Sequence, residues 1–388
     1  MLHNRYQQCG GEDGAAEQDV ALLRKHGHAV HFHTIHNDEI KRYSTFQKAS
    51  LWFRPTWSMK SHREVRLIIK AFRPDVIHVH NFFPLLSPSV YFAARDCGVP
   101  VVQTLHNYRV LAPCALLMRE NRVCERCTEG SLWNSIRYRC YHGSTMQTAS
   151  IAAMIAMHRW CGTWGTLVDR FIALTEFSKG LFVRAGLPEA KITVRPNFLL
   201  EDPGTWSGKR SGVIFVGRVS EEKGIVCLLN AWRSLPDVPL TIIGDGPLRE
   251  WAAEYISRND LRLVRLLGMQ SSSRIFEELK RSAFLVFPSI CYETFGRTVV
   301  EAFATGTPVL VSDIGAGGSL VEENVTGRHF EPGSPYDLAS KALEMARDPD
   351  KLRDWGANAR QEYLGKYSAG NAYESLMRVY QGVAGGKS

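Results

Sequence analysis

No run of eighteen apolar side chains occurs in this 388-residue chain, so no stretch of it reads as a membrane-spanning helix. The first twenty residues are polar and lack the apolar core of a secretory signal. A cytoplasmic protein is the expectation. The G-x-G-x-x-G of dinucleotide-binding dehydrogenases is missing as well: Gly244-Asp245-Gly246 runs into Pro247-Leu248-Arg249, which excludes a nicotinamide cofactor. Asp348-Pro349-Asp350 is the only D-x-D. Asp followed by Pro is an ordinary way to open a helix, so no catalytic metal is read there.

Cysteine is sparse, nine in all, yet Cys114, Cys124, Cys127 and Cys140 fall close together as C-x9-C-x2-C-x12-C. In a reducing compartment such a cluster favours tetrahedral zinc over disulfides. A zinc ribbon would carry a second C-x-x-C, and buried, unligated thiols fit the same residues. Structural zinc on these four is the expectation set beside that alternative. No His or water-activating motif accompanies them, which argues against catalytic zinc.

The length predicts two or three domains, and 45% hydrophobic residues is ordinary globular content. The formal charge of +8 is unevenly spread. Residues 1–200 hold 25 Lys and Arg against 15 Asp and Glu, a net of +10; residues 201–388 hold 22 against 24, a net of −2. A basic half suits phosphate, whether of nucleic acid or of an anionic membrane, although a solvated surface needs no partner. Leu51-Trp52-Phe53-Arg54-Pro55-Thr56-Trp57-Ser58-Met59-Lys60 mixes rings with cations. That composition fits a membrane interface and equally a buried helix with charged flanks.

Apolar runs and amphipathic stretches alternate along the chain. Residues 1–4 read as the end of a first strand that would begin earlier. A helix is expected at 15–26, strands at 29–34, 75–80 and 99–105, and a helix at 86–97 between the last two. A largely apolar helix at 146–164 reads as core, followed by a strand at 171–175, a helix at 178–185 and a strand at 191–194. Residues 201–211, rich in Pro, Gly and Ser, read as a linker. Beyond it, strands are expected at 213–216, 240–243, 263–268, 283–287 and 309–311, with a helix at 272–281. Such alternation predicts an α/β protein with parallel sheets.

The chemistry gathers at strand ends. Between the strands at 283–287 and 309–311 lies Ser289-Ile-Cys-Tyr-Glu293-Thr294-Phe295-Gly296-Arg-Thr-Val-Val-Glu301-Ala-Phe-Ala-Thr-Gly-Thr-Pro308. Glu293 falls on a loop, Gly296 starts a helix, and Glu301 lies about 7 Å further along its axis. Ligands of open parallel sheets bind at carboxyl strand ends, and amides at a helix start face anions. The pair suits a sugar nucleotide, with hydroxyls on the carboxylates and phosphate on the amides. A loop Glu and a dipole-favoured helix Glu would look the same. Gly217-Arg218-Val-Ser-Glu-Glu-Lys223-Gly224 follows the strand at 213–216, where Arg218 and Lys223 could share one diphosphate or simply decorate a solvated turn.

The spacing Glu293 to Glu301, with Phe295-Gly296 between them, resembles the E-x7-E signature of retaining glycosyltransferases of family GT4, and the resemblance extends over nearly the whole chain. It implies a GT-B fold of two Rossmann-like open-sheet domains with the site in the cleft between them: 1–200 on the acceptor side, 201–365 holding the nucleotide sugar, and a C-terminal helix at 366–388 crossing back. It implies transfer, with retention and without a bound metal, from a nucleotide-diphosphate sugar to a hydroxyl acceptor such as a lipid-linked or cell-surface polysaccharide precursor. Arg218 and Lys223 would neutralise the diphosphate with the amides of Thr294, Phe295 and Gly296. Glu301 would hold ribose and Glu293 sugar hydroxyls. His106, which follows the strand at 99–105, would contact sugar or acceptor. Gly10 and Gly11 would form a substrate-facing loop, while Gly217, Gly244 and Gly246 would line the nucleotide site. Where families typically carry a Glu, Ser319 stands here, and Gly317-Gly318 would slacken that loop. The partners implied are the donor, a glycan or lipid-linked acceptor and an anionic membrane on the cell's inner face, with no nucleic acid. A GT-B sugar-nucleotide epimerase could reuse the clamp. A non-catalytic protein binding anionic surfaces would use the basic half alone.

Overall fold

The structure, a computed structural model, describes residues 1–7, 10–44 and 52–385; Leu51 of the aromatic and cationic stretch above lies outside them. The chain divides into two compact units. One comprises Met1–Leu117, Cys124–Leu200 and Ala369–Ser388, the other Met118–Val123 and Glu201–Ser368.

The first unit is built on six parallel strands in the order β2 (His33–His36), β1 (Leu2–Arg5), β3 (Ile77–Asn81), β4 (Val101–Thr104), β7 (Arg170–Ala173) and β8 (Ile192–Val194). Every residue of β3 and β4 is buried, as expected of parallel strands covered on both faces. The helix Ala369–Ala384 belongs to this unit. Its Leu376 and Val379 join Leu23, Val102 and Ile172 in one buried cluster, and the Tyr380 hydroxyl lies 2.7 Å from His78 Nδ1.

The second unit carries six parallel strands in the order β11 (Val264–Leu266), β10 (Leu240–Ile243), β9 (Val213–Val216), β12 (Phe284–Phe287), β13 (Val309–Ser312) and β14 (Gly327–Phe330). Its core packs Trp232, Leu228, Phe284, Leu310 and Trp355 around the sheet. A small antiparallel hairpin, β5 (Met118–Arg119) and β6 (Arg122–Val123), groups with this unit although its sequence neighbours do not.

The α/β class with two parallel sheets is the one the alternation predicts, and the differences lie at element ends. The helix expected at 15–26 runs from Gly11 to Lys25. It starts early because the Asp13 carboxylate accepts from the Gly10 amide at 2.8 Å, so Gly10 caps the helix and Gly11 opens it. These two glycines thus stand at the helix start. The strand expected from 29 begins at His33, because β1 offers it partners only from Leu2 onward. The helix Thr145–Trp160 buries Ile151, Met154 and Ile155 but exposes Met146, Met157 and Trp160, so one face alone is core. Residues 315–320 form a helix instead of a slack loop. A Cβ on Gly317 would stand 2.6 Å from the Phe287 ring, so glycine serves close packing there. Among the described residues no helix is long and apolar enough to cross a membrane.

Candidate active site

In the second sheet the chain leaves β9 toward β10 on one side and later returns to pair β12 on the other. The strand order therefore reverses between β9 and β12, and in open sheets a crevice for ligands forms at such a reversal, beyond the carboxyl ends. The two loops leaving these strands carry the residues singled out in the sequence.

Lys223, on the turn after β9, places Nζ 2.7 Å from both carboxylate oxygens of Glu293, on the loop after β12. The Ser289 hydroxyl also donates to Glu293. Burial alone would lower the pKa of the Lys223 ammonium, but the Glu293 carboxylate outweighs it and the net shift is upward. The side chain is held as a cation. Arg218 stands exposed on the same turn. Gly244 has φ +139°, and a Cβ there would lie 1.8 Å from the Gly217 carbonyl oxygen. Only glycine lets the loop after β10 press its backbone on the turn after β9. Gly246 is packed against Val219 in the same way, and Val219 N donates to Asp245 O at 2.9 Å. Gly217, Gly244 and Gly246 thus hold the turn that presents Arg218 and Lys223.

Gly296 caps the helix Arg297–Ala304. The Phe295 ring is buried edge-on against Tyr367, so what Phe295 can offer a ligand is its backbone. Glu301 accepts from Arg297 Nε at 3.0 Å. Burial raises its pKa, and Arg297 opposes the shift.

In the first unit, β4 delivers His106 to its carboxyl end, where Nε2 lies 2.9 Å from His80 Nδ1 and the rings stack at 5.2 Å. Burial, helped by His3 and Arg195, pushes His106 down to about 3, so its imidazole is neutral at physiological pH. Behind it, His80 Nε2 is 3.6 Å from Asp19, and Asp19 receives both Arg195 guanidinium nitrogens at 2.6 and 3.1 Å. Beside the helix start at Gly11, Glu12 accepts from Asn81 Nδ2 at 2.9 Å and Asn107 Nδ2 at 3.0 Å. Burial raises this carboxyl to about 8, against the pull of the Asn107 amide.

Sequence reasoning picked His106 but passed over Glu12, His80, Asp19, Asn81 and Arg195. One signal was available: His78 and His80 alternate on a fully buried strand, and polar residues on one face of such a strand need partners.

Two family models match the chain. A Glycosyl transferase 4-like domain covers residues 10–197, and Glycosyl transferases group 1 covers residues 201–362. An uncharacterized glycosyltransferase of Methanocaldococcus jannaschii is 30% identical over 168 residues, a match spanning 43% of this chain and 47% of that protein, less than half its length. A second uncharacterized glycosyltransferase of the same organism is 24% identical over 385 residues, 92% of this chain and 91% of the relative. Among solved structures, Anabaena HepE in complex with UDP superposes with a TM-score of 0.69 at 18% identity, covering 98% of this chain and 99% of that one.

Proposed function

This chain belongs to the group 1 glycosyltransferases of the GT4 type, with their GT-B fold, and from that premise we propose that it moves a sugar, with retention, from a nucleoside-diphosphate sugar to the hydroxyl of a lipid-linked or cell-surface polysaccharide precursor. The observation that carries this reading is the Lys223–Glu293 pair at the reversal between β9 and β12. A cation beside a carboxylate at that crevice suits a donor that is anionic at its diphosphate and rich in hydroxyls at its sugar. That the structural neighbour HepE was solved in complex with UDP supports a nucleotide as part of the donor.

In this reading Lys223 and Arg218 meet the diphosphate, and the amides of Thr294, Phe295 and Gly296 help to bind it. As the bond to the sugar breaks, negative charge grows on the departing diphosphate, and cations already in position stabilise it without reorganising. Lys223 released from Glu293 leaves that carboxylate to take sugar hydroxyls. Glu301, steadied by Arg297, binds ribose hydroxyls. In the first unit His106 is the sugar or acceptor contact, and its neutral imidazole can both donate and accept a hydrogen bond.

A panel of UDP, GDP and ADP sugars screened by thermal shift tests the reading. At a hundredfold excess over its Kd a ligand adds about 2.7 kcal/mol, worth about 5 °C or more at roughly 2 °C per kcal/mol for a unit of this size. One base is expected to give such a shift. A flat response across the panel would refute the donor assignment.

The lipid-linked acceptor draws its support from the first unit's surface. The helix Met59–Phe72 buries Ser61, Val65 and Ile69 and turns Met59, Lys60, Arg63, Leu67 and Lys70 outward. Nearby, Phe53 is 76% exposed, and the helix that ends in Trp160, 89% exposed, holds the 52–56 turn through Ser150 and His158. Cations interleaved with apolar side chains suit an anionic leaflet at about 1 kcal/mol per basic residue. The full chain is expected to co-sediment with vesicles containing phosphatidylglycerol at 0.1 M salt and to be released at 1 M, where the Debye length falls from about 10 to 3 Å. Changing Lys60, Arg63 and Lys70 together to glutamate should abolish the binding; unaltered binding by that variant would favour a soluble acceptor.

A further inference from the structure

In the first unit Asp19, His78 and His80 bring their polar atoms within 4.8 Å of one another. The cluster is arranged for hydrogen bonding, not for a cation. His78 places its two nitrogens on the Tyr380 and Thr104 hydroxyls at 2.7 Å each, and both Asp19 oxygens receive Arg195. A metal ion there would stand beside the Arg195 guanidinium. The same side chains instead form a line that begins at a buried ion pair and ends at His106.

Four elements contribute to this line. Arg195, just past β8, donates to the two oxygens of Asp19, on the helix Gly11–Lys25, at 3.1 and 2.6 Å, which fixes the carboxylate. Asp19 Oδ2 lies 3.6 Å from Nε2 of His80, on β3. His80 Nδ1 is in turn 2.9 Å from His106 Nε2, beyond β4. The His80 ring is held in this orientation by burial, with 2% of the residue exposed, and by the His78 ring stacked on it at 4.3 Å.

These contacts assign the hydrogens one after another. Among the described residues His80 Nε2 has no hydrogen-bond partner, so the nearby Asp19 carboxylate decides its state. The 3.6 Å contact is longer than a hydrogen bond. In a buried site the charge still sets the sign, attracting an N–H and repelling a lone pair. Nε2 of His80 therefore carries hydrogen. Its ring is neutral, because burial first, and then the surrounding histidines and Arg195, hold it well below the usual imidazole range. A neutral imidazole has a single N–H, so His80 Nδ1 is an acceptor. The 2.9 Å contact then requires His106 Nε2 to donate. His106 is neutral as well, which puts its lone pair on Nδ1.

We propose that Asp19, acting through His80, holds His106 in the Nε2–H tautomer, so that His106 Nδ1 accepts a hydrogen bond from a hydroxyl of the sugar or of the acceptor. Asp19 and His80 are positioning residues, both buried behind the ring that meets substrate. The inference rests on the reading of His106 as a substrate contact and narrows it: the partner is a group that donates, a hydroxyl, and not a ring or glycosidic oxygen.

The tautomer is read directly by long-range proton–nitrogen correlation NMR on the full chain labelled with nitrogen-15 histidine, the His106 signals being identified by their loss in His106→Asn. The wild type is expected to carry the proton on Nε2. His80→Leu removes the acceptor and should release His106 to a mixture of both tautomers, whereas His80→Asn, with an amide oxygen near the place of Nδ1, should restore the Nε2–H form. Asp19→Leu with Arg195→Met removes the orienting charge while burying neither ion, and it too should give the mixture. On the donor that stabilises the protein, kcat/KM should follow the tautomer, falling about tenfold in His80→Leu, the scale of one hydrogen bond, and recovering most of that in His80→Asn. A wild-type proton on Nδ1, or an Nε2–H form that persists in both His80→Leu and the double variant, overturns the proposal. Should a variant fail to fold, the wild-type spectrum decides. Tautomers that follow His80 while kcat/KM does not would keep the relay and remove the hydroxyl contact, a failure of the functional reading of His106 instead.

Discussion

Alanine at Lys223 is expected to slow sugar transfer by about 10²–10³-fold, the usual loss when one preorganised electrostatic contact to a developing charge is removed. Arg218→Ala should fall in the same range, because both cations are assigned to one diphosphate. The two differ in what they leave behind. Lys223 contacts both Glu293 oxygens, so its removal also strands a carboxylate that is mostly shielded from water. Arg218 is exposed, so its loss should show in rate with little change in melting temperature. Steady-state kinetics on the donor that stabilises the protein would decide. Near-normal kcat/KM in both variants would remove the diphosphate assignment.

The second large effect is on stability. Arg195→Ala is expected to cost about 3–5 kcal/mol in denaturant unfolding of the first unit. Arg195 and Asp19 are both almost wholly buried and joined by two hydrogen bonds, so losing the guanidinium leaves an uncompensated carboxylate. Arg195 Nε also donates to Ala372 O, at 3.3 Å, on the final helix. Removing both charges, as Asp19→Asn with Arg195→Met, should recover much of the loss, since burying neither ion avoids both desolvation costs. A single variant within about 1 kcal/mol of wild type would show that the pair is not structurally important.

The second sheet was the easier half to read. Val213–Val216 and Phe284–Phe287 are uninterrupted apolar runs and Leu240–Ile243 is broken only by Thr241; each is ended by Gly or Pro, and short runs with such punctuation announce buried parallel strands. What the runs could not show was order. That β9 pairs with both β10 and β12 is a long-range fact, and it alone turns Lys223 and Glu293, 70 positions apart, into neighbours. The first unit hid more, because its buried polar network is assembled from scattered segments. Glu12 needs Asn81 and Asn107, and Asp19 needs Arg195, with nothing in local spacing to link them. Element ends misled where a partner's reach, not the segment's own residues, set the limit, as β1 does for β2.

Because the helix Ala369–Ala384 returns to the unit in which the chain begins, the second unit apart from its Met118–Val123 hairpin is topologically an insert, entered after Leu200 and left after Ser368. Exchange of that insert between relatives therefore has two junctions instead of one. A chimera spliced only at residue 200 would import a foreign final helix. Its counterparts of Leu376, Val379 and Tyr380 would then have to fit Leu23, Val102, Ile172 and His78. A recombination that keeps this helix with its own sheet, and swaps 201–368 as a cassette, leaves that packing native.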